Sequence, residues 1–438
     1  MIPYYIGISI IALTYFLLSP LQHLLVVLGL GVGAWLKWPK DTLWTSYMSC
    51  AALALFGHVD YFTAVATLIS HPVALLVVGC LLAQIIVKNN IHLVLSERLM
   101  TYFKPRSEFG VVQLMLGISA FLSMWMSNTS VVAMLIPVVV RLSESLKVPV
   151  SRLLISIAYG ATIGGMLTPI GTPANLVAIA YADRYFGIEI DFALWFSYAL
   201  PFVALLMLSL SGYFYYYCSK DPLEYESKPI VVSYVQKQLM VLLGICTLLW
   251  ATQACPFGGW KQLLSFSIKE EWIGLVVILL CSQLVYQNKK AFELADIQKL
   301  PFASIWMVIA GIFMAEGMIH HKVISLITDY LATGTWLYDY QTMALFGFLM
   351  SMVTEVCSNT AVTSLGLPLS DLMMHLSHLK ALPCIFLLTF SANSAFMLPS
   401  ATPPNALVLG TGKLSSSQLV TAGLIISLSS LFILMVLL

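Results

Sequence analysis

Apolar residues occupy long unbroken stretches near 3–19, 21–36, 43–57, 70–88, 153–181, 192–217, 238–256, 271–287, 302–318, 382–411 and 416–438, with short polar connections between them. A helix crosses a bilayer core with about 20 such residues, fewer or more with tilt, so each stretch is predicted to span a membrane. A membrane barrel would instead alternate apolar and polar residues in segments of about ten. Two further apolar segments, 110–141 and 341–370, are each cut midway by a polar cluster and are predicted as hairpins that enter and leave on one side. Segments 89–108 and 319–340 read as amphipathic surface helices or connectors. The expected fold is an all-α polytopic membrane protein with eleven transmembrane helices and two re-entrant hairpins.

Composition agrees with the pattern. Of 438 residues, 60% are hydrophobic and 9% charged, where a soluble globular protein carries roughly 25% charged residues. Lys+Arg 21 against Asp+Glu 20 leaves a formal net charge of +1, so a broad basic surface for nucleic acid is not expected. Cys50, Cys80, Cys218, Cys246, Cys255, Cys281, Cys357 and Cys384 are scattered, mostly inside apolar runs, and read as small apolar fillers rather than a disulfide framework or zinc site. The opening Met-Ile-Pro-Tyr-Tyr-Ile has no basic stretch before its apolar run, so the first helix is expected to be retained rather than cleaved.

Charge also orients the spans. With the N-terminus cytoplasmic, the cytoplasmic connections hold sixteen of the 21 basic residues, Lys40 and Lys228 among them. The external connections hold the other five, Arg184, Lys261, Lys269, Lys322 and Lys380. That bias has the sign of the positive-inside rule and places the C-terminus outside. Were either hairpin to cross fully, every later loop would invert and the bias would degrade.

The polar interruptions repeat. Ser127-Asn128-Thr129 is followed by Pro137, and Ser358-Asn359-Thr360 by Pro368, each proline nine residues after the asparagine. Thr172-Pro173-Ala174-Asn175 ends 47 residues beyond Asn128, and Thr402-Pro403-Pro404-Asn405 ends 46 beyond Asn359. Ser123 and Thr354 each precede a motif serine by four residues, and Gly171 and Ala401 precede the two Thr-Pro pairs. Matched features at an offset of 230 or 231 mark two repeats, near 110–217 and 341–438, each a hairpin followed by a broken helix. One hairpin opens inward and the other outward in the assigned topology, so the repeats are inverted, a construction found in secondary transporters with a shared site at the midplane.

Irregular backbone at membrane depth is tolerated only inside protein or against a wet cavity. Pro173, Pro403 and Pro404 stop a helix, exposing amides at one half-helix start and carbonyls at the preceding end. Amides suit an anion and carbonyls a hard cation such as sodium. Ser, Asn and Thr extend both inventories without charge, and no Lys or Arg falls in any of the four motifs. Anion binding is therefore expected to depend on bound cations. Glu355, whose repeat partner is Met124, reads either as tuning a cation or proton site or as a buried hydrogen-bonded acid. His320, His321, His375 and His378 read as interfacial, and Trp38, Trp44, Tyr181, Trp195 and Trp260 as interface anchors. No Walker loop, HExxH or GxSxG is present, so neither ATP-driven transport nor common hydrolase chemistry is expected, and no organic cofactor.

The twin Ser-Asn-Thr motifs, the approach Leu122-Ser123-Met124-Trp125-Met126, and the segments Gly171–Asn175 and Ala401–Asn405 resemble the divalent anion/sodium symporter family of dicarboxylate, citrate and sulfate carriers. The resemblance implies a homodimer in the inner (plasma) membrane and an elevator motion of a transport domain against a scaffold. It divides the chain into scaffold helices (1–109), a transport hairpin and broken helix (110–191), scaffold or connector helices (192–340), a second transport hairpin and broken helix (341–415) and a last helix (416–438). By the same resemblance a small di- or tricarboxylate meets Ser127, Asn128, Thr129, Thr172, Pro173, Ser358, Asn359, Thr360, Thr402 and Pro403. One sodium is implied among Ser123, Ser127, Asn128 and Gly171, and another among Thr354, Cys357, Ser358, Asn359 and Ala401. Cys357 stands where the family commonly has Ala, and Ala174 stands where the second half has Pro404. A dicarboxylate exchanger, a sulfate carrier and, in another class, an ion channel are the competing readings.

Overall fold

A computed structural model describes residues 2–38, 41–223, 232–253, 259–260, 268–287, 289–323, 338–399 and 401–438. Lys40, Lys228, Cys255, Lys261 and positions 324–337 of the second expected connector lie outside these residues.

The chain opens with α1 (Ile2–Leu17), α2 (Pro20–Lys37), α3 (Thr42–Leu55), α4 (Tyr61–Leu68), α5 (His71–Lys88) and α6 (Ile91–Phe103). The first hairpin is α7 (Glu108–Ser123) and α8 (Asn128–Leu146), followed by α9 (Val150–Gly165), α10 (Pro173–Phe186) and α11 (Phe192–Tyr217). Next come α12 (Tyr234–Ala251), α13 (Glu270–Cys281) and α14 (Phe302–His320). The second hairpin is α15 (Asp339–Thr354) with α16 (Asn359–Gly366) and α17 (Leu369–Leu376), and then α18 (Ala381–Asn393), α19 (Pro403–Gly410) and α20 (Ser416–Leu437).

Six helical segments among the described residues are long and apolar enough to cross a membrane. Helix α11 shows why: Trp195, Phe202, Leu206, Leu210 and Phe214 are buried, yet its opposite face carries exposed Leu205, Leu208 and Tyr216. A helix apolar on both faces suits lipid on one side and protein on the other.

Two expectations shift in detail. The span 271–287 ends at Cys281, and Val285–Tyr286 pair with Lys289–Lys290 in a minimal antiparallel ribbon, which with a single bridge between Ser107 and Pro222 is the β-structure among the described residues. Ser282 ends the helix, Ser282 and Gln283 are polar, and Gln287 adopts φ 50, a left-handed residue in the turn between the two strands. The stretch between spans 43–57 and 70–88 holds a helix of its own, α4, capped by the Asp60 carboxylate on the amides of Phe62 and Thr63.

The two repeats pack as exchanged halves. Helix α7 lies on α9 as α15 lies on α18, and α8 lies on α9 as α16 lies on α18. Across the halves, α8 packs on α19 as α16 packs on α10, and α9 packs on α19 as α18 packs on α10. Gly164, on α9, sits against the backbone of Ala120 on α7. Gly160 and Gly164 present a small-xxx-small stripe, and such a stripe lets two membrane helices touch through their backbones. Helix α10 is buried at every position from Ala174 to Ala182, so the first break opens at the centre of the bundle.

The second hairpin's returning arm is split where the first one's is continuous. Pro137 is accommodated inside α8, but Gly366, two residues before Pro368, adds a second helix breaker and the chain restarts as α17. The described cysteines are unpaired thiols, buried or half-buried.

Candidate functional site

Each Ser-Asn-Thr motif forms the tip of its hairpin and the start of the returning helix. Ser127 caps α8 by accepting from the Ser130 amide at 3.3 Å, and Ser358 caps α16 by accepting from the Ala361 amide at 3.3 Å. Asn and Thr then take the first two helical positions, beside amides that have no partner within the helix. The Thr-Pro pairs do the same for the broken helices: Thr172 and Thr402 precede α10 and α19, whose first residue is a proline that has no N–H to leave unpaired. Four helix starts, two from each repeat, thus come from the four motifs.

The side chains inside the motifs are tied in matching ways. Ser123 Oγ donates to Asn128 Oδ1 at 2.6 Å, and Thr354 Oγ1 to Asn359 Oδ1 at 2.9 Å, with the Thr354 hydroxyl also 2.5 Å from the Ala392 carbonyl. Asn128 Oδ1 lies so close to Gly165 that a Cβ there would collide with it, and Gly171 lies against the backbone of Gly165 in the same way. Ser123, Asn128, Gly165 and Gly171 therefore pack into one cluster of oxygens and peptide groups. Ser127 is turned outward: it is exposed and its hydroxyl is 2.8 Å from Ser130 Oγ.

The asparagines that end the Thr-Pro segments shape the breaks. Asn175 Nδ2 donates to the carbonyls of Gly165 (3.1 Å) and Thr168 (2.8 Å), and Asn405 Nδ2 to those of Phe396 (3.2 Å) and Leu398 (3.1 Å). Each amide folds its unwound loop back onto the next half-helix, holding carbonyls that helix geometry no longer satisfies. Both asparagines are fully buried.

Glu355 proves to be a buried hydrogen-bonded acid. Its carboxylate accepts the amides of Phe396, Met397 and Leu398 at 2.8–3.0 Å, bracketing the second break. At the matching place in the first repeat, the Met124 carbonyl accepts from Thr168 Oγ1 at 2.5 Å. The same two points are tied in both halves, by a carboxylate in one and a peptide oxygen in the other.

The two halves meet through an amide that the motifs do not contain. Asn393, at the end of α18, donates from Nδ2 to Asn175 Oδ1 at 2.9 Å and accepts at Oδ1 from Asn359 Nδ2 at 3.5 Å. A continuous polar path thus runs from Thr354 and Asn359 of the second hairpin through Asn393 and Asn175 to Gly165, against which Asn128 of the first hairpin packs. Asn128, Thr129, Pro173, Ser358 and Asn359 are half-buried and Ser127 and Pro403 exposed, whereas Thr172, Thr360, Thr402 and Ala401 are buried. Cys357 is half-buried beside Ser358.

Sequence reasoning missed Asn393, a single amide in an apolar run with no partner in the other repeat. It also misread two aromatics. Trp195 is fully buried, donating from Nε1 to the Met166 carbonyl in the first break and packing on Phe386 and Phe390, and Tyr181 is buried in α10. Both are core residues rather than interface anchors. His321 likewise turns inward, with Nε2 2.9 Å from His58 Nδ1.

The chain itself is similar to known transporters. The chain matches the citrate transporter family over residues 24–389. It is 24% identical over 382 residues to the sodium-dependent dicarboxylate transporter SdcS of Staphylococcus saprophyticus, covering 81% of this chain and 73% of that one. It is also 24% identical over 343 residues to SdcS of Staphylococcus aureus strain USA300, covering 72% of this chain and 66% of that protein. In three dimensions it is similar to the YdaH transporter of Alcanivorax borkumensis, with a TM-score of 0.55 at 14% identity over 86% of each chain, a likeness of fold. The chain belongs to the citrate transporter family, among the divalent anion/sodium symporters that its twin motifs resemble, and is a membrane transporter rather than an enzyme.

Proposed function

We propose that this protein is a secondary active importer that couples sodium to a small di- or tricarboxylate of the succinate, malate, fumarate and citrate class. The polar path joining both motif pairs carries the reading: neutral oxygens and helix starts from two halves converge without a Lys or Arg in the motifs. An anion held that way needs bound cations to balance it. The relatives named for sodium-dependent dicarboxylate transport agree with that need. The carboxylate groups sit at the starts of α8, α16, α10 and α19 with Ser127, Asn128, Thr129, Ser358, Asn359 and Thr360, near Thr172-Pro173 and Thr402-Pro403. One sodium takes Ser123, Ser127, Asn128 and Gly171, and the other takes Thr354, Cys357, Ser358, Asn359 and Ala401.

The same proposal includes the topology, with the repeats inverted, the N-terminus cytoplasmic and the C-terminus external in the inner (plasma) membrane. Ion pairs support it, since each joins groups assigned to one side. Lys88 with Asp296 (2.7 Å), Arg152 with Glu108 (2.5 Å) and Lys413 with Glu144 (3.8 Å) fall on the cytoplasmic side. His71 with Glu271 (2.6 Å) and Arg184 with Glu316 (2.9 Å) fall on the external side. Residues 110–191 and 341–415 form the moving body of an elevator and 1–109 with most of 192–340 the scaffold, through which two copies pair. Helices α11 and α20 pack on each other and on the hairpins, which favours their travelling with them.

Uptake of labelled succinate into proteoliposomes, with and without an inward sodium gradient, tests the proposal. Sodium-independent exchange would replace symport by antiport, and unitary currents would replace a carrier by a channel. Asn128→Ala and Asn359→Ala should each abolish the thermal stabilisation by succinate plus sodium; parental responses in both would displace the site.

A further inference from the structure

Several tethers recur in both halves, and an amide without a counterpart links the motif asparagines across them. Asn393 is nearly fully buried, 1% exposed, and makes its two amide contacts to residues of different repeats: Asn359 of the second hairpin and Asn175 of the first broken helix. The positions 230 and 231 residues earlier are Ile163, a fully buried hydrocarbon, and Thr162, whose hydroxyl donates to the Ala158 carbonyl of its own helix, and neither is an amide. The consequence is visible in the two loop-holding asparagines. Asn175 has its Oδ1 filled by Asn393, whereas Asn405 Oδ1 is buried without a hydrogen-bond partner. One break is held by a closed amide chain and the other has an open end.

We infer that Asn393 is a positioning residue that couples the two cation sites, so that sodium at the second site sets the first. The inference rests on the sodium sites of the proposed function. A cation at the second site takes Asn359 Oδ1, which Thr354 Oγ1 now hydrogen-bonds. Orienting that amide fixes its Nδ2 toward Asn393 Oδ1, a contact of 3.5 Å with room to shorten. Asn393 passes the orientation to Asn175, whose Nδ2 holds the Gly165 and Thr168 carbonyls beside Asn128 and Gly171. Each link is an amide with one donor end and one acceptor end, so the chain has a direction and transmits a preferred orientation instead of mere contact. Linkage makes the effect reciprocal: whatever the second site does for the first, the first does for the second.

The test uses the full chain in proteoliposomes, reading succinate uptake and thermal stability against sodium concentration. The parent is expected to respond sigmoidally. Asn393→Asp keeps the shape and an acceptor for Asn359 but cannot donate to Asn175. It should reach the parental maximal rate at saturating sodium with the succinate KM unchanged, while the Hill coefficient falls toward one and half-saturation rises about tenfold, within the range of measured couplings. Asn393→Gln, which keeps both ends of the amide, should restore a Hill coefficient above one; a merely structural role would not separate the two variants in this way. If Asn393→Asp does not reconstitute, Asn393→Ser is judged by the same coefficient. A parent with sigmoidal sodium dependence and a variant with the same coefficient and half-saturation overturns the coupling alone. A sodium-dependent parent with a coefficient of one overturns it as well, leaving the symport reading intact. A parent indifferent to sodium overturns both.

Discussion

At the scale of single residues, the site is built from amides and hydroxyls whose partners are largely backbone. Glu355 is the exception in charge, and it too serves backbone, taking three consecutive amides of the second break. A charged acceptor strengthens each of those bonds, and removing it leaves buried N–H groups unmet. Glu355→Gln keeps the size but replaces one oxygen by an NH2 that opposes the loop's own donors. It is expected to cost about 2 kcal/mol of stability and to lower uptake even at saturating sodium, measured by thermal unfolding alongside transport. Parental stability in that variant would mean the bracket contributes nothing. The motif residues were legible in the sequence because polar clusters stand out from apolar runs and because each occurred twice. Glu355 was noticed for its charge but its role was not readable, since the groups it binds are peptide amides that every residue carries. Asn393 was invisible for the opposite reason: it lacks a repeat partner, and its meaning lies in a contact with Asn175 across 218 residues of chain.

At the scale of elements, the helix breaks were legible and some helix ends were not. Gly-Thr-Pro and Ala-Thr-Pro-Pro mark half-helix starts by steric necessity, and both α10 and α19 begin at the proline. Leu284, Val285 and Tyr286 keep the run apolar past Cys281, so hydropathy could not register that α13 ends there and the chain enters a short ribbon. Proximity to a span end misled for Trp195, because distance along a helix does not say which face it occupies. Histidines show the same gap between residue type and setting. His23 on α2, His58 in the α3–α4 connection and His321 at the end of α14 form one hydrogen-bonded row, with contacts of 2.7 and 2.9 Å. His23 Nε2 donates to the Ile11 carbonyl, so its Nδ1 accepts from His58 Nε2, and His58 Nδ1 accepts from His321 Nε2. That pattern needs His58 neutral. Burial, then the neighbouring His321, His23 and His320, push His58 down from its ordinary 6.5 to about 4. Between those values the unfolded chain binds a proton that the fold refuses, so stability is full above pH 6.5 and falls as pH drops toward 4. Thermal unfolding should show that slope, and His58→Gln should flatten it; an unchanged slope would place the acid sensitivity elsewhere.

At the scale of the whole molecule, an elevator requires that contacts between carrier and scaffold be few enough to break. In the proposed division helix α10 makes the boundary, buried between the second hairpin on one side and α14 and α5 on the other. Its C-terminal turn carries Arg184, which reaches Glu316 on α14 at 2.9 Å and Thr67 on α4 at 3.0 Å. One side chain there ties the half-helix proposed to move to two helices of the proposed frame. The pair is partly exposed, 32% and 23% by side chain, and such pairs contribute about 0–1 kcal/mol. That magnitude suits a latch: it biases one position up to about fivefold without trapping it. If α10 slides along α14, Arg184→Gln and Glu316→Gln should each change the rate of succinate exchange at saturating sodium by about two- to fivefold while leaving the KM near parental. Exchanging the charges, Arg184→Glu with Glu316→Arg, should return the rate toward the parent. A pair internal to one rigid body would instead alter thermal stability in both single variants and leave exchange untouched, and that result would move the carrier boundary away from α10.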